Sequence, residues 1–232
     1  MGSYLDIGCG SGLFSLVARR LGATVYPFDF DPRSVACARE LKRRYLPGDG
    51  TWVIEEGSVL DRSYMEGLGQ FDVVYCWGVL HHTGAMWVAI ENAIRSVADA
   101  NGRLFVAIYN DQGWKSHAWW LVKLFYNNLP RFLRSPFAFT VTAVIRSLLI
   151  VKYTCKLAPI TAIAPLLTRR RDRGMSAKYD EVDWIGGFPF EFASFKTLST
   201  YFEVRGLKLI NAKRTTSWGC NELILQRIAD VD

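Results

Sequence analysis

The chain has 232 residues, of which 50% are hydrophobic and 22% charged, and its formal net charge is +6. This length supports one domain with a sizeable core and leaves room for an inserted segment. Its five cysteines occur without Cys-x-x-Cys pairing, so the sequence indicates neither a metal site nor a disulfide framework. Free thiols in a reducing cytoplasm are the expected state. No basic segment followed by an apolar stretch opens the chain, so we expect no signal peptide.

A glycine-rich turn follows the first apolar run of the chain. Residues 6–12 read Asp-Ile-Gly-Cys-Gly-Ser-Gly, after a run that contains Tyr4 and Leu5, and an amphipathic pattern predicts a helix from Leu13. Glycine tolerates positive φ and has no Cβ, so a ligand can come close to the backbone. The first N–H groups of the following helix point to the same place. This strand, turn and helix predict a nucleotide-binding site.

The next segment repeats the alternation of strand and helix. Residues 24–28 form a β-prone run that ends at Asp29, about twenty residues beyond the turn, where an acidic residue hydrogen-bonds ribose hydroxyls in nucleotide-binding folds. Asp31 is the expected N-cap of a second helix, with Pro32 at its first position. The alternative is that Asp29 and Asp31 are ordinary cap and turn residues.

Three further strands follow in order. Apolar runs predict them at residues 52–54, 71–77 and 102–109, with a helix at residues 85–97 between the last two. The regular alternation implies a parallel, doubly wound α/β sheet, which binds its ligands at the carboxyl ends of the strands.

The pattern Asp-x-Gly-x-Gly-x-Gly at residues 6–12 resembles motif I of the class I S-adenosylmethionine (SAM)-dependent methyltransferases. Residues 78–83, Gly-Val-Leu-His-His-Thr, are similar to motif IV of small-molecule methyltransferases, and within the family the chain most resembles the ubiquinone-biosynthesis type. An NAD(P)-dependent oxidoreductase is the rival interpretation, because such enzymes also bind their cofactor at a glycine-rich turn. A dinucleotide-binding turn, however, requires a third glycine where this chain has Leu13. A non-catalytic SAM-binding module without the usual N-terminal helices is a third.

The resemblance implies a mostly parallel seven-stranded sheet, SAM as the cofactor, and transfer of a methyl group to an oxygen atom of a small or lipid-like acceptor. The positions that it assigns to the cofactor are Asp6, Gly8, Cys9, Gly10, Gly12, Asp29, Phe30, Ser58, Val59 and Trp77. Ser58 stands where the family usually has an acidic residue against the adenine, and it can hydrogen-bond the ring without a charge. Asp61 is expected to cap the turn that follows.

Two adjacent histidines follow the fourth strand. The methyl group of SAM is already activated, so the protein mainly aligns the reactants, but a hydroxyl acceptor also requires a base. Histidine suits that role near neutral pH, so His82, or else His81, is the candidate base. The alternative is that the Leu-His-His segment only hydrogen-bonds its own loop, as is common in the family. Residues 109–111, Tyr-Asn-Asp, are further candidates on the acceptor side.

A long segment, residues 111–190, separates the fifth strand from the end of the fold. Residues 113–128 have a helical pattern rich in aromatic side chains, prolines at positions 130 and 136 interrupt the chain, and residues 137–155 are strongly apolar. We expect a helical cap over the active site. An interfacial helix on a membrane surface is compatible with a cap, whereas Arg146 makes a transmembrane span costly. The arginines within residues 169–173 indicate a solvated loop or a contact with an anionic surface.

The C-terminal part completes the predicted fold. Ser194 is the expected N-cap of a helix that ends at Gly206, and residues 207–212 and 222–228 predict a closing antiparallel pair. Before them, residues 183–191 form a glycine- and aromatic-rich loop, which either lines the acceptor pocket or is a structural turn.

The sequence thus predicts a SAM-binding core at residues 1–110, a helical cap at residues 111–190, and a final helix and strands at residues 191–232. The expected partners are the methyl acceptor and, through the cap, a membrane surface; the expected location is the cytoplasm. Nucleic acid is not expected, because the positive charge is not organised around the site. Since only three residues precede Tyr4, we expect either a native start further upstream or a more open site.

Overall fold

The computed structural model of the chain describes residues 2–99, 101–155 and 185–228. Contacts divide the chain into two compact units: Met1–Gly113 with Glu191–Asp232, here called the sheet unit, and Trp114–Phe190, here called the helical unit. The arginines within residues 169–173 and the first two residues of the 183–191 loop lie outside the described residues. All positions assigned to the cofactor and both candidate histidines belong to the sheet unit.

Seven strands form one sheet in the sheet unit. They are β1 Ser3–Ile7, β2 Thr24–Asp29, β3 Glu55–Glu56, β4 Val73–Trp77, β5 Arg103–Tyr109, β6 Leu207–Lys213 and β7 Cys220–Arg227. Their order is β3-β2-β1-β4-β5-β7-β6, with β1 to β5 parallel and β7 antiparallel to both of its neighbours. The prediction of a doubly wound, mostly parallel sheet is confirmed. The strand order reverses between β1 and β4, and such a switch point is where ligands bind in open α/β sheets.

Three of the helices begin at the N-caps that the sequence predicts. They are α1 Leu13–Arg20, α2 Pro32–Tyr45, α3 Arg62–Leu68, α4 Met86–Arg95, α5 Trp114–Asn128, α6 Arg131–Cys155 and α7 Phe195–Glu203, and a 3₁₀ turn at Leu80–His82 precedes α4. Asp31, Asp61 and Ser194 each accept a backbone N–H from the first turn of the helix that follows. These three side chains satisfy N–H groups that lack a partner within the helix, which confirms the predicted N-caps.

Alternate strand residues build the core on the two faces of the sheet. On one face Leu5, Val74 and Leu104 are at most 1% exposed and pack in one cluster with Ile90 of α4. Successive side chains of a strand point to opposite faces, so Asp6 lies on the other side from Leu5.

The third strand differs from its prediction. The sequence predicts it at residues 52–54, whereas the regular pairing of β3 involves Glu55–Glu56, and Trp52 makes only an isolated bridge with Val25. Val25 directs both its N–H and its carbonyl at this edge, at 2.8 and 3.0 Å from their partners. In β2, the backbone groups of every second residue point to this same edge. After Val25, the next residue whose backbone points there is Pro27. Because Pro27 has no N–H to donate, the pairing is interrupted there.

The helical unit contains a small core of its own. Tyr126 of α5, Ala138 of α6 and Ile185 are at most 8% exposed and pack together. Helix α6 runs through Pro136, which corrects the expectation that this proline interrupts the chain. The proline removes one backbone hydrogen bond, but Ala138, two residues later, is held by the core. Within the described ranges, no helix has the length and apolar character needed to cross a membrane.

Candidate active site

The glycine turn joins β1 to α1 at the carboxyl edge of the sheet. Its three glycines, Gly8, Gly10 and Gly12, have φ values of 70°, 54° and 78°, a region that favours glycine. The N–H groups of Gly8 and Cys9 both donate to the carbonyl oxygen of Phe28, at 2.9 and 3.1 Å. These backbone hydrogen bonds to β2 fix the turn. Burial raises the pKa of the Cys9 thiol to about 12, so this thiol is protonated at neutral pH.

The three glycines are required for different reasons. A Cβ on Gly8 would lie 2.5 Å from a methyl carbon of Val79, and one on Gly12 would lie 2.8 Å from the Cβ of Ala38. At Gly10, no atom of the described residues comes within 4 Å of the corresponding position. The outer two glycines thus allow the protein to pack closely on itself. Gly10 instead borders open space, in which a ligand can contact the backbone.

Asp29 connects the end of β2 to this turn. One of its carboxylate oxygens accepts the N–H of Gly10 and the other accepts the N–H of Asp31, both at 2.9 Å. Each carboxylate oxygen has two lone pairs, so both oxygens can accept a further hydrogen bond from a ligand hydroxyl. The predicted ribose-binding residue therefore also orders the glycine turn.

Asp6 is a buried carboxyl group just before the turn. It is 2% exposed and accepts a hydrogen bond from the hydroxyl of Ser15 at 2.5 Å. Burial raises the pKa of Asp6 from 3.8 to about 6; the Ser15 hydrogen bond opposes this rise, and the charge of Asp29 adds to it. The sequence reasoning missed Ser15. Its only signal is a hydroxyl on the buried face of an amphipathic helix.

A buried amide holds the loop after β3. Asn92 of α4 is 4% exposed and donates from its side chain to the carbonyl oxygen of Val59 at 2.8 Å. Ser58 accepts the N–H of Leu60 with its hydroxyl oxygen, at 3.2 Å. Asn92 was also missed from the sequence, where its signal is a polar residue among the buried apolar positions of α4. Because an amide buried on an apolar face requires a partner, this pattern predicts a hydrogen bond but not its acceptor.

Gly57, at the start of the same loop, packs against an aromatic ring. Its N–H donates to the carbonyl oxygen of Asp29 at 3.1 Å, and a Cβ here would lie 2.4 Å from ring carbons of Tyr64. The hydroxyl of Tyr64 donates to Glu55 at 3.0 Å, which keeps the ring in place. The loop that carries Ser58 and Val59 is thereby fixed relative to Asp29.

The two histidines lie in the 3₁₀ turn after β4. His81 is 1% exposed, whereas His82 is partly exposed. Both imidazoles lie against the ring of Tyr109 at the end of β5, with centroid distances of 4.0 Å for His81 and 5.4 Å for His82. The structure thus brings both candidate bases and one acceptor-side candidate into a single aromatic cluster. Of the two imidazoles, that of His82 is the more accessible to a ligand.

The other two acceptor-side candidates make hydrogen bonds within the fold. Asn110 accepts the side-chain amide of the fully buried Asn221 at 3.0 Å. Asp111 accepts the N–H of Gly113 with its carboxylate, at 2.7 Å. These bonds give Asn110 a structural role at the end of β5.

Trp77 and Phe30 complete the assigned positions. Trp77 is the partly buried last residue of β4, and Phe30 follows β2 and is 79% exposed. Hydrogen bonds join the glycine turn, Asp29 and the loop after β3 into one edge of the sheet. In the part of the chain that the structure describes, no hydrogen bond or ring contact links Phe30 to the other assigned positions.

Comparison with known proteins gives both a family and partial relatives. A family profile described as methyltransferase domain matches residues 1–137. The ubiquinone biosynthesis O-methyltransferase of Xanthomonas axonopodis pv. citri (strain 306) is 34% identical over 106 residues, which are 46% of this chain and 42% of that protein. The ribosomal protein L11 methyltransferase of Methylococcus capsulatus (strain ATCC 33009 / NCIMB 11132 / Bath) is 40% identical over 60 residues, or 25% and 20% of the two chains. The match therefore spans less than half of these relatives.

Solved structures show the same fold at low identity. Magnesium protoporphyrin IX methyltransferase from Synechocystis PCC 6803, with bound S-adenosylhomocysteine (SAH), aligns with a TM-score of 0.55 and 16% identity over 97% of this chain and 74% of that one. An O-methyltransferase family protein from Burkholderia thailandensis aligns with a TM-score of 0.57 and 17% identity, over 99% and 52%. Because the family profile covers more than half of the chain, the chain belongs to the methyltransferase domain family, and its resemblance to the class I SAM-dependent methyltransferases is confirmed.

Proposed function

We propose that this chain binds SAM at the glycine turn and transfers its methyl group to an oxygen atom of a small or lipid-like acceptor. The observation that carries the proposal is the hydrogen bond between Gly10 and Asp29, which places a carboxylate beside the open part of the turn. SAM presents ribose hydroxyls and positive charge, and both are complementary to Asp29 and the nearby Asp6. An acidic residue at the position of Asp29 also binds the ribose of a dinucleotide, so the distinction from NAD(P) rests on Leu13, which stands where a dinucleotide-binding turn has its third glycine.

Each assigned residue has a role in this proposal. Asp29 accepts the ribose hydroxyls, Ser58 and Val59 border the adenine, and the backbone around Gly10 borders the methionine part. Trp77 and Phe30 flank the cofactor at the ends of β4 and β2. SAM supplies an activated methyl group when bound, while the residues of this chain bind it, orient the acceptor and remove the acceptor proton.

His82 is the proposed base. It follows β4, at the edge of the sheet that carries the glycine turn, and it is more accessible than His81. A hydroxyl acceptor must lose its proton during methyl transfer, and a positioned imidazole accepts such a proton near neutral pH. His81, buried against Tyr109, would then hold the turn in place.

The acceptor can be found by supplying labelled methyl groups. Tritiated SAM is incubated with the protein and a panel of quinol, phenol, sugar and amine acceptors. Transfer is measured for the wild type, His82→Ala and His117→Ala. We expect His82→Ala to lower kcat by about 10²–10⁴-fold with unchanged SAH affinity. The exposed third histidine, His117, is the matched control and should have no effect. Full activity of His82→Ala would contradict its role, and methylation only at nitrogen would contradict an oxygen acceptor.

The two other interpretations make different predictions in the same assays. Family membership favours a methyltransferase over an NAD(P)-dependent oxidoreductase, for which Leu13 is also unsuitable. A non-catalytic module would bind SAH but transfer no label to any acceptor, including protein. The predicted cap role of the helical unit and the cytoplasmic location stay predictions.

We also propose peripheral contact with an anionic lipid surface. On α6, Phe132 and Phe139 are 76% and 77% exposed, and Arg131 and Arg146 on the same helix are exposed. Exposed aromatic side chains together with cationic ones suit the interface of an anionic bilayer. The test is cosedimentation with phosphatidylglycerol-containing vesicles and with phosphatidylcholine vesicles. Binding only to the anionic vesicles, reduced by the double change Phe132→Ser and Phe139→Ser, is expected; equal binding to both, or none, would contradict the proposal.

A further inference from the structure

The segment that follows the helical unit is hydrogen-bonded to the 3₁₀ turn after β4 and to the end of β5. Glu191 donates its N–H to the carbonyl oxygen of His81 at 2.9 Å. Two residues later, the N–H of Ala193 donates to the carbonyl oxygen of Tyr109 at 3.0 Å, and the carbonyl of Ala193 accepts the N–H of Asp111 at 3.2 Å. Residues 191–193 thus bond to the backbone of His81 and Tyr109, two of the three members of the cluster that includes His82.

The side chain of Glu191 makes a second attachment. Both of its carboxylate oxygens accept the N–H of Met86, the first residue of α4, at 3.0 and 3.1 Å. The residue before Met86 is Ala85, whose side chain cannot cap a helix, and the first turn of α4 contains no acidic residue. Glu191 therefore supplies, from 105 positions away, the negative charge and the acceptor that helix N-termini favour.

The 3₁₀ turn Leu80–His82 is here called the histidine turn. The two attachments, at His81 and at Met86, lie on either side of His82 along the chain. The backbone of Glu191 holds the turn at His81, and its carboxylate holds the chain at Met86, so His82 lies between two points fixed by one residue. Within this interval, the hydroxyl of Thr83 donates to the carbonyl oxygen of Leu80 at 2.8 Å, which closes the turn on itself. The interval has little freedom to move while Glu191 is in place.

We propose that Glu191 is a positioning residue for the imidazole of His82, acting through the bond of its carboxylate to Met86, while its backbone bond to His81 is kept in every variant. The assignment rests on the proposed function, in which His82 is the base. A residue that only stabilised α4 would change the stability of the protein and nothing at the histidines. A positioning residue changes the surroundings of both imidazoles in the folded protein, and it lowers kcat more than it weakens SAH binding.

Imidazole resonances provide a test that requires neither cofactor nor acceptor. The chain has three histidines, so a carbon-edited NMR spectrum can be assigned with single substitutions. The ring of Tyr109 lies 4.0 Å from that of His81, so the imidazole shifts depend strongly on this geometry. In folded Glu191→Ala we expect the resonances of His81 and His82 to move toward those of an unfolded peptide, while His117 stays unchanged. Unmoved resonances of both would overturn the proposal.

Two further variants separate positioning from general stability. Glu191→Gln keeps one acceptor oxygen and loses the charge, so it should move the same two resonances by a smaller amount; it takes the place of Glu191→Ala if that variant does not fold, and unmoved resonances in it would then overturn the proposal. Ser194→Ala removes the N-cap of α7, in which the hydroxyl oxygen accepts the N–H of Thr197 at 3.0 Å, and it should leave both imidazoles unchanged.

The kinetic measurement then links the geometry to activity. With an acceptor in hand, Glu191→Ala should lower kcat by about tenfold to a hundredfold, because a small misplacement of a reacting group has effects of that size, and should change SAH affinity by less than about twofold. An unchanged kcat would overturn the positioning role. Failure to bind SAH at all would contradict the proposed function, while the NMR shifts would still show whether Glu191 positions the histidine turn.

Discussion

At the scale of single residues, Asp6 makes the stability of the protein depend on pH. Burial makes the folded protein bind a proton at this carboxyl more tightly than the unfolded chain does, because its pKa rises from 3.8 to about 6. Its contribution to stability is therefore fully present below pH 3.8 and is lost as the pH rises through 6. Above that pH the folded protein carries a buried negative charge beside Ser15, where it also suits a positively charged ligand.

Replacing this carboxyl should remove the pH effect. In Asp6→Asn the hydroxyl of Ser15 still has an oxygen acceptor, but no buried charge forms. We expect the variant to be more stable than the wild type at pH 8, by on the order of 1–3 kcal/mol, and nearly equal to it at pH 4. Urea unfolding at both pH values measures this difference. A difference that does not change with pH would show that Asp6 titrates as an ordinary carboxyl.

Gly10 should be required for binding more than for folding. An alanine there takes a strained φ, at a cost of about 1 kcal/mol, and its methyl group enters the space assigned to the ligand. The matched control is Gly48→Ala, which has a φ of 77° and an equally open position in a loop after α2. Both variants should lose similar stability, but only Gly10→Ala should weaken SAH binding, by about tenfold or more, equivalent to 1.4 kcal/mol. Calorimetric titration gives both affinities, and equal affinity in the two variants would contradict the assignment.

At the scale of elements, α4 supports the loop that we propose to border the adenine, through one hydrogen bond from Asn92 to Val59. Asn92→Ala leaves the carbonyl of Val59 without its donor, which should reduce the free energy of unfolding by about 1–3 kcal/mol and weaken SAH binding. Asn128→Ala is the control: it also removes an amide-to-carbonyl hydrogen bond, but an exposed one in the helical unit. Thermal unfolding with and without SAH compares the two. Unchanged stabilisation by SAH in Asn92→Ala would show that the loop does not depend on α4.

The helices and strands also show which features the sequence predicts and which features only the structure reveals. The N-caps at Asp31, Asp61 and Ser194 are local signals, since the capping side chain and its N–H lie two or three residues apart. The third strand was misplaced because its pairing depends on a proline in the neighbouring strand. Asn92 and Glu191 were missed as supports because their partners lie 33 and 105 positions away, and nothing local specifies such a pair. Sequence patterns therefore predict the elements and the glycine turn, but not the contacts that hold the loops.

At the scale of the whole molecule, the proposed cofactor edge is one connected structure within the sheet unit. The glycine turn, Asp29 and the loop after β3 are joined by hydrogen bonds, and the histidine turn follows the neighbouring strand β4. The doubly wound, mostly parallel sheet could be predicted, because alternating strands and helices leave few topologies, whereas the strand order comes from the structure. Because these loops are connected, we expect a ligand that contacts all of them to stabilise the sheet unit as a whole.

The central claim is that this edge binds SAM through Asp29, and calorimetric titration tests it most directly. SAH is titrated into the wild type, into Asp29→Ala and into Asp31→Ala, the nearby helix cap, with NADH as the rival ligand. We predict one SAH site in the wild type, no NADH binding, and an affinity lowered about tenfold to a hundredfold in Asp29→Ala, as expected for lost hydrogen bonds to a charged group, with little change in Asp31→Ala. Binding of NADH in place of SAH, or SAH affinity unaffected by Asp29→Ala, would contradict the account.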